Sequence, residues 1–552
     1  MGSPFFLFMM LMATFSGIFV ISTLIGVITS GIEGKVEELR KGRSKVLVKD
    51  HTVVLGWNSQ IFSVISELSL ANESRKNPHI VVLATDDKVD MEDAIADRVD
   101  TKNTKVICRT GSPIDVDDLE IVSIQTARSI IVLAPEGDEP DSEVIKILLA
   151  ILHGPNRRSE PYHVVAQIRE DKNFEVAKLV ARDEAELIQV DELIARITAQ
   201  TCRQSGLSVV YTELLDFGGD EIYFQEEPAL VGKTYGDALL SYEDCAIMGI
   251  HKADGTPVVN PPSDTPIGPG DRVIAIAEDD DKVRISSVAD RGINRQYLRT
   301  AAPLPQQAEH TLILGWDSSA HIVIRELDAY VAKGSIVTVV AQMTQDEFAV
   351  AASGLKLANE EMRFMSADPT DRAVLNSLNV QAYHHVILVS PDDGDVQKAD
   401  ARTLVTLLHL RDIREKTGGT FSIVSEMQDM RNRRLAEVTQ ADDFIVGSSL
   451  ISLMLTQVAE NKHLNKVFDV LFAPDGSEIY LKPAIHYVVP GVPMTYYNVV
   501  EAARLRGETA IGYRIKADAK DVSKSYGVRT NPKKSEPVTF SDGDLIIVLA
   551  EN

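Results

Sequence analysis

The sequence predicts an α/β protein of two tandem, doubly wound units, each followed by a small α+β C-terminal lobe, behind one N-terminal membrane helix. Three observations carry this. The run His51-Thr-Val-Val-Leu-Gly56-Trp57 returns as His310-Thr-Leu-Ile-Leu-Gly315-Trp316, an offset of 259 residues that takes in both tryptophans of the chain. Downstream, Ile130-Ile-Val-Leu-Ala-Pro135 is echoed by Val386-Ile-Leu-Val-Ser-Pro391 at an offset of 256. Finally, no charged residue occurs from Met1 to Ile32.

Bulk properties narrow the class. A chain of 552 residues exceeds what one hydrophobic core serves, and 44% hydrophobic with 25% charged residues describes a folded, multidomain protein. The net charge of -25 repels phosphate backbones and argues against nucleic acid as a partner. The three cysteines, Cys108, Cys202 and Cys245, have no metal-binding or disulfide spacing, which suits a reducing cytoplasm.

Residues 1–32 read as a transmembrane helix, because Phe5 to Thr29 is long and apolar enough to cross a hydrocarbon core of about 30 Å. Lys35, Arg40, Lys41, Arg43 and Lys45 follow the apolar run, so the positive-inside rule places the bulk of the chain in the cytoplasm of a cell-membrane protein. Ser22, Gly26 and Thr29 share one helix face, a stripe that suits either a water-filled pore or close packing against another helix. Residues 33–49 are expected to carry the helix onward as a charged connector.

Residues 50–220 form the first Rossmann-like N-lobe. A strand ends at Gly56, a helical pattern covers Ile61 to Leu70, and strand patterns follow at Ile80 to Leu83, Lys105 to Cys108, Ser129 to Leu133 and His163 to Gln167, with a helix over Glu143 to Leu152. Residues 221–293 switch to short strands and Gly/Pro turns such as Gly268-Pro-Gly-Asp271, ending on the apolar run Arg272 to Ala277. Pro303 and Pro305 mark a linker over 294–309. Residues 310–466 repeat the N-lobe, with a helix over Ala320 to Val331, a strand at Ile336 to Val340, and further elements at Val386 to Val389, Asp400 to Leu410 and Phe421 to Glu426. Residues 467–552 repeat the lobe and close with Ser541-Asp-Gly-Asp544 before Leu545 to Ala550.

A dinucleotide site needs G-x-G-x-x-G at the first strand-to-helix turn, so that backbone can approach a pyrophosphate. The turns here, Gly56-Trp-Asn-Ser-Gln-Ile61 and Gly315-Trp-Asp-Ser-Ser-Ala320, keep only the first glycine and add a tryptophan, which argues against NAD as a cofactor. Asp86 is placed to meet a ribose hydroxyl in the first copy, whereas the second has Gln342 there. Acidic runs follow the fourth strand of each copy, with Glu136, Asp138, Glu139 and Asp141 in one and Asp392, Asp393 and Asp395 in the other. Their density suits Ca²⁺, although a solvated helix N-terminus explains the same residues. No H-E-x-x-H, G-x-S-x-G or P-loop occurs, so no enzyme activity is expected.

The helix exit Ile32-Glu-Gly-Lys-Val-Glu-Glu-Leu-Arg-Lys-Gly-Arg-Ser44, running into His51 to Trp57 and followed by the duplication, resembles the CASTOR/POLLUX family of ion channels over nearly the whole chain. The resemblance implies tandem RCK domains in the gating ring of a homotetramer, with the N-terminal helix as inner pore helix in membrane lipid. It further implies permeation of monovalent cations, K⁺ above all, and regulation by calcium, a divalent cation. It begins at the last membrane helix, so the outer helices and selectivity filter are expected outside this chain. A membrane-tethered regulatory subunit of another transporter, or an NAD-binding oxidoreductase, are the competing readings.

Overall fold

The computed structural model describes residues 3–551 apart from 41, 138, 289, 300–306, 391–394, 437–442 and 474–475. The chain divides into two compact units, one of residues 1–166 with 176–185, the other of residues 167–175 with 186–552.

The first unit opens with α1 (Pro4–Arg40), whose Pro4–Thr29 stretch is long and apolar enough to cross a membrane and buries none of its side chains. Ser22, Gly26 and Thr29 lie on α1 and are exposed like every described position up to residue 29. The helix stops at Arg40, so the connector expected to be helical over 33–49 is helical only in its first half. Beyond it the backbone is irregular, held where Val46 N–H donates to Ile121 O at 2.7 Å and Ser123 Oγ donates to Val46 O at 2.6 Å.

The elements then alternate: β1 (Thr52–Leu55), α2 (Ile61–Ala71), β2 (His79–Ala84), α3 (Lys88–Arg98), β3 (Lys105–Thr110), α4 (Val116–Ile121), β4 (Ser129–Val132), α5 (Pro140–His153), β5 (Val164–Ile168) and α6 (Asp171–Ala181). Strands run parallel in the order β3-β2-β1-β4-β5. Every residue of β1 and β4 is buried, as a parallel sheet covered on both faces requires.

The second unit, which also takes in residues 167–175, resumes within β6 (Ala185–Gln189) and passes into a crossover pair, α7 (Val190–Arg203) and α8 (Leu207–Leu215). The first C-lobe follows: β7 (Glu221–Glu226), α9 (Tyr235–Ser241), β8 (Ala246–His251), β9 (Pro257–Val259) and β10 (Arg272–Ala277), an antiparallel sheet ordered β7-β10-β8-β9. The second copy comprises β11 (His310–Leu314), α10 (Ala320–Tyr330), β12 (Ser335–Ala341), α11 (Gln345–Ala351), β13 (Glu360–Ser366), α12 (Arg372–Ser377), β14 (His385–Leu388), α13 (Val396–Thr417), β15 (Ser422–Met427), α14 (Met430–Ala436) and β16 (Asp443–Val446). Its sheet runs β13-β12-β11-β14-β15-β16. A second crossover pair, α15 (Gly447–Glu460) and α16 (His463–Phe472), leads to β17 (Glu478–Pro483), β18 (Met494–Thr495), α17 (Tyr497–Arg504), β19 (Thr509–Arg514), β20 (Val528–Thr530), β21 (Pro537–Val538) and β22 (Leu545–Ala550). The sheet β17-β22-β19-β20 has the antiparallel order of the first lobe.

Two expectations change here. The boundary predicted at residue 467 falls inside α16, because the crossover pair belongs to the packing of both lobes. The linker predicted over 294–309 is anchored where it is described: Arg299 N–H donates to Tyr487 O at 2.8 Å, Val489 N–H to Tyr297 O at 2.9 Å, and Asn294 N–H to Asn498 Oδ1 at 2.8 Å.

The two C-lobes are not separate bodies. Tyr235, Leu239, Tyr242 and Ile247 of the first share one apolar core with Tyr487, Tyr496, Val499 and Val548 of the second. Rings of this size stabilise by roughly 2 kcal/mol each when fully buried, and their hydroxyls need partners. Tyr235 OH finds Thr509 Oγ1 at 2.8 Å, whereas Tyr242 OH has no hydrogen-bond partner and it is the Tyr242 backbone carbonyl that accepts, at 3.0 Å, from Nζ of the buried Lys534. The crossover helices bind the same halves together, α7 packing on α10, β14, β15 and β16, and α8 on α15 and β16.

Candidate regulatory cleft of the second Rossmann-like sheet

At the C-terminal end of β11 the backbone turns sharply at Gly315, where φ is +102° and a Cβ would lie 2.3 Å from Val389 O. Gly56 repeats this in the first copy, with φ of +103° and Leu133 O at 2.8 Å. Only glycine fits either turn, so the surviving glycine of each degenerate loop is accounted for by strand packing alone.

In a dinucleotide-binding fold the pyrophosphate sits at the N-terminus of the next helix. Here the chain fills that seat itself. Asp317 Oδ1 accepts from Ser319 N–H and Ala320 N–H, both at 2.9 Å, at the start of α10. In the first copy Asn58 Oδ1 accepts from Gln60 N–H at 2.9 Å. A second anion would meet a carboxylate in place of free amides, so the loop does not fit a dinucleotide pyrophosphate. Asp86 is exposed, two residues beyond β2, and only its backbone oxygen is bonded, to Thr110 Oγ1 at 2.8 Å.

Beside Gly315 opens a cleft of about 260 Å³ lined by Trp316, Gln342, Asp368, Arg402, Thr403 and Thr406 among others. Trp316 closes one side, edge-on to Phe348 at 5.1 Å. Such a crevice at the reversal point of strand order is the usual ligand position in open α/β sheets.

The predicted acidic ligands are dispersed. Asp141 is buried on α5, and Glu139 precedes that helix, 3.4 Å from Ser142 Oγ. Glu136 lies in the bend before it. Asp395 caps α13, accepting from Gln397 N–H at 3.1 Å and Lys398 N–H at 3.2 Å. Asp138, Asp392 and Asp393 lie outside the described residues. Among the described residues no group of three or more His, Cys, Asp or Glu side chains is arranged to hold a metal ion. A helix-capping carboxylate needs no metal to explain it.

Reasoning from sequence missed the ionic chemistry around the crossover helix. Glu309 accepts from Arg203 Nε at 3.2 Å and Nη2 at 3.1 Å, with His385 Nε2 at 3.3 Å. Although burial opposes ionisation, the hydrogen bonds from His385 and Arg203 hold the Glu309 carboxyl down to about 2. Its stabilising contribution is therefore present above the ordinary carboxyl range near 4.5 and is lost as pH falls toward 2. Glu309→Ala, which strands the Arg203 guanidinium, is expected to lower stability by about 3 kcal/mol in urea unfolding at neutral pH. A loss under about 0.5 kcal/mol would rank the pair with ordinary surface bridges.

Tandem parallel sheets, crossover helix pairs and a jointly built C-lobe core define the RCK gating-ring class of regulatory proteins. The solved human SLO3 gating ring shares this fold, with a TM-score of 0.65 over 91% of this chain and 99% of that one, at 17% identity. The family model described as the calcium-activated potassium channel slowpoke-like RCK domain matches residues 47–153. That described as Castor and Pollux, part of voltage-gated ion channel, matches residues 191–291. The chain belongs to the CASTOR/POLLUX family of ion channels. It is 31% identical over 97% of its length to the probable ion channel CASTOR of Oryza sativa subsp. japonica, spanning 63% of that relative. Over 47% of its length it is 24% identical to the calcium-gated potassium channel TvoK of Thermoplasma volcanium.

Proposed function

We propose that this chain is the membrane-embedded subunit of a ligand-regulated cation channel, conducting K⁺, whose RCK domains form a cytoplasmic gating ring in a homotetramer. The observation that carries the reading is covalent: α1, a lipid-compatible helix ending at Arg40, is joined to the first Rossmann-like sheet, which begins at Thr52, by fewer than a dozen residues. In this reading α1 is the inner pore helix, with Ser22, Gly26 and Thr29 turned to the water-filled side.

Gating then requires a ligand with different affinities for two arrangements of the ring, the difference being transmitted to the C-terminal end of α1. Calcium is the proposed ligand, on the strength of the calcium-gated relative and the calcium-activated family model. The test is potassium flux from liposomes that contain the chain together with any residues encoded upstream of Met1, across a calcium series from micromolar to millimolar. Calcium-dependent flux is expected. Absence of flux from folded tetramers, with stoichiometric co-purification of another pore protein, would overturn this reading in favour of a regulatory subunit.

A further inference from the structure

We propose that His385 ties the C-terminal end of α7 to the second Rossmann-like sheet only while its ring carries two protons, which makes it a proton-binding site that releases the helix as pH rises. The side chain is 14% exposed and has a partner on each nitrogen. Ser422 Oγ donates to Cys202 O of α7 at 2.6 Å, and a hydroxyl has one proton to give. The 2.8 Å contact between His385 Nδ1 and that same oxygen is therefore donated by the ring. On the other side Nε2 lies 3.3 Å from Glu309 Oε2. Glu309 already accepts twice from Arg203 and, held down to about 2, has no proton to offer, so this contact too needs a ring N–H. The two contacts together require an imidazolium, because a neutral ring must turn a lone pair on either the hydroxyl oxygen or the carboxylate.

The preceding histidine has the opposite requirement. His384 Nδ1 accepts from His310 N–H at 2.9 Å, so that nitrogen must be bare. Acid therefore opens the His384 contact, which holds the start of β11 and does not involve α7. The first copy lacks the tie. Strand registers set Thr52 against Ser129 and Thr311 against His385, so Ser129 stands where the histidine does, 3.3 Å from Thr52 Oγ1 in an uncharged contact. Asp50, at the 259-residue offset from Glu309, is exposed.

The charges around the ring pull both ways. Glu309 favours a cation at His385, whereas Arg203 of α7, which shares that carboxylate, opposes a second positive charge beside it. Glu360 of β13 and Asp443 of β16 act with Arg203 and Glu309 on the field at Cys202, and Glu478 of β17 feels the Arg203 charge. The remaining neighbours are uncharged: β15 brings Ser422, and α10 brings Tyr330, whose ring centroid lies 6.0 Å from the Arg203 guanidinium. Since the doubly protonated ring is the form that makes both contacts, the tie is present at low pH and lost as pH rises, while Glu309 stays ionised throughout. A group that binds a proton in one arrangement and not in another lets pH choose between them.

Hydrogen exchange of the Cys202, Arg203 and Gln204 amides at the end of α7 reads the tie, measured on the full chain and on H385N and E309Q from about pH 5.5 to 8.5, the range in which imidazoles change charge. Corrected for intrinsic rate, exchange in the natural chain should rise about tenfold across that range. In H385N the amide has no titrating proton, and in E309Q the amide can either accept from the ring or donate to it, so each variant should stay within about twofold. The loss of stability with rising pH that buried Glu360 contributes is common to the natural chain and H385N and cancels between them. Should H385N fold poorly, H385Q takes its place. A flat profile in the natural chain, or a rise of the same size in either variant, would overturn the proposal.

Discussion

Replacing Asp443 with alanine is expected to accelerate hydrogen exchange at Gly206 and Ser208 by roughly a hundredfold, equivalent to about 3 kcal/mol of lost local stability. Asp443 opens β16 and is 3% exposed. Its carboxylate accepts from Gly206 N–H at 2.7 Å, from Ser208 N–H at 3.3 Å and from Ser208 Oγ, so one side chain of the second copy satisfies the N-terminus of α8. A helix start has several amides with no internal partner, and here they are away from water. Water cannot replace the carboxylate easily, since Gly206, with φ of +92°, is covered by the Arg514 guanidinium. Asp443→Asn, which keeps an accepting oxygen, should lose less than half as much. Exchange within threefold of the natural chain for the alanine variant would sink the claim that this carboxylate holds α8 in place.

The second large effect has the opposite sign. Glu360, at the start of β13, is 8% exposed and neither carboxylate oxygen has a hydrogen-bond partner. The local amides that could serve it go to Asp328: Ala358 N–H and Asn359 N–H donate at 2.8 Å and Glu360 N–H at 2.9 Å. Burial, then the Asp328 and Glu309 charges, push the Glu360 carboxyl up to about 8. The folded chain thus retains a proton that the unfolded chain has released, and stability declines as pH rises from about 4.5 through 8. Glu360→Gln should match the natural chain near pH 4.5 and exceed its stability by about 3 kcal/mol at pH 9, below the full linkage value because a partly buried site can relax. Urea midpoints of both proteins across that range give the comparison. A pH-independent difference would mean that Glu360 is already served by water.

The Glu309, Asp443 and Glu360 effects belong to the buried ionic layer where the first copy's crossover helices meet the second copy. That layer was the least legible part of the sequence. Its partners are far apart in the chain, Asp443 from Gly206 and Arg203 from Glu309, so no local spacing announces them. Helix α7 does carry an apolar stripe, Val190, Leu193, Ile194 and Ile197 at helical spacing, but what the sequence does not announce is that its polar face is covered too, with Thr198, Gln200 and Thr201 buried. Strand β13 was missed for a different reason. It is an edge strand with mostly exposed or half-buried residues, and Glu-Glu-Met-Arg-Phe-Met-Ser contains no continuous apolar run.

Where one segment carries the whole signal, sequence and structure agree. Strands β1 and β11 lie in the repeated His-Thr runs, β22 spans Leu545–Ala550 as read, and α2 and α10 begin where their patterns begin. The turn residues followed too, because a positive φ beside a neighbouring strand leaves glycine as the only choice at positions 56 and 315.

The sequence by itself determined the duplication, the alternation of strand and helix, the membrane-compatible helix and the loss of the glycine-rich phosphate loop, because each is written in contiguous residues. Only the tertiary structure decided that the C-lobes share one core, that Asp317 occupies the helix N-terminus a phosphate would take, and which buried acids have partners. Burial and pairing are properties of segments brought together by folding, and a carboxyl group's chemistry is set by the neighbours it acquires there.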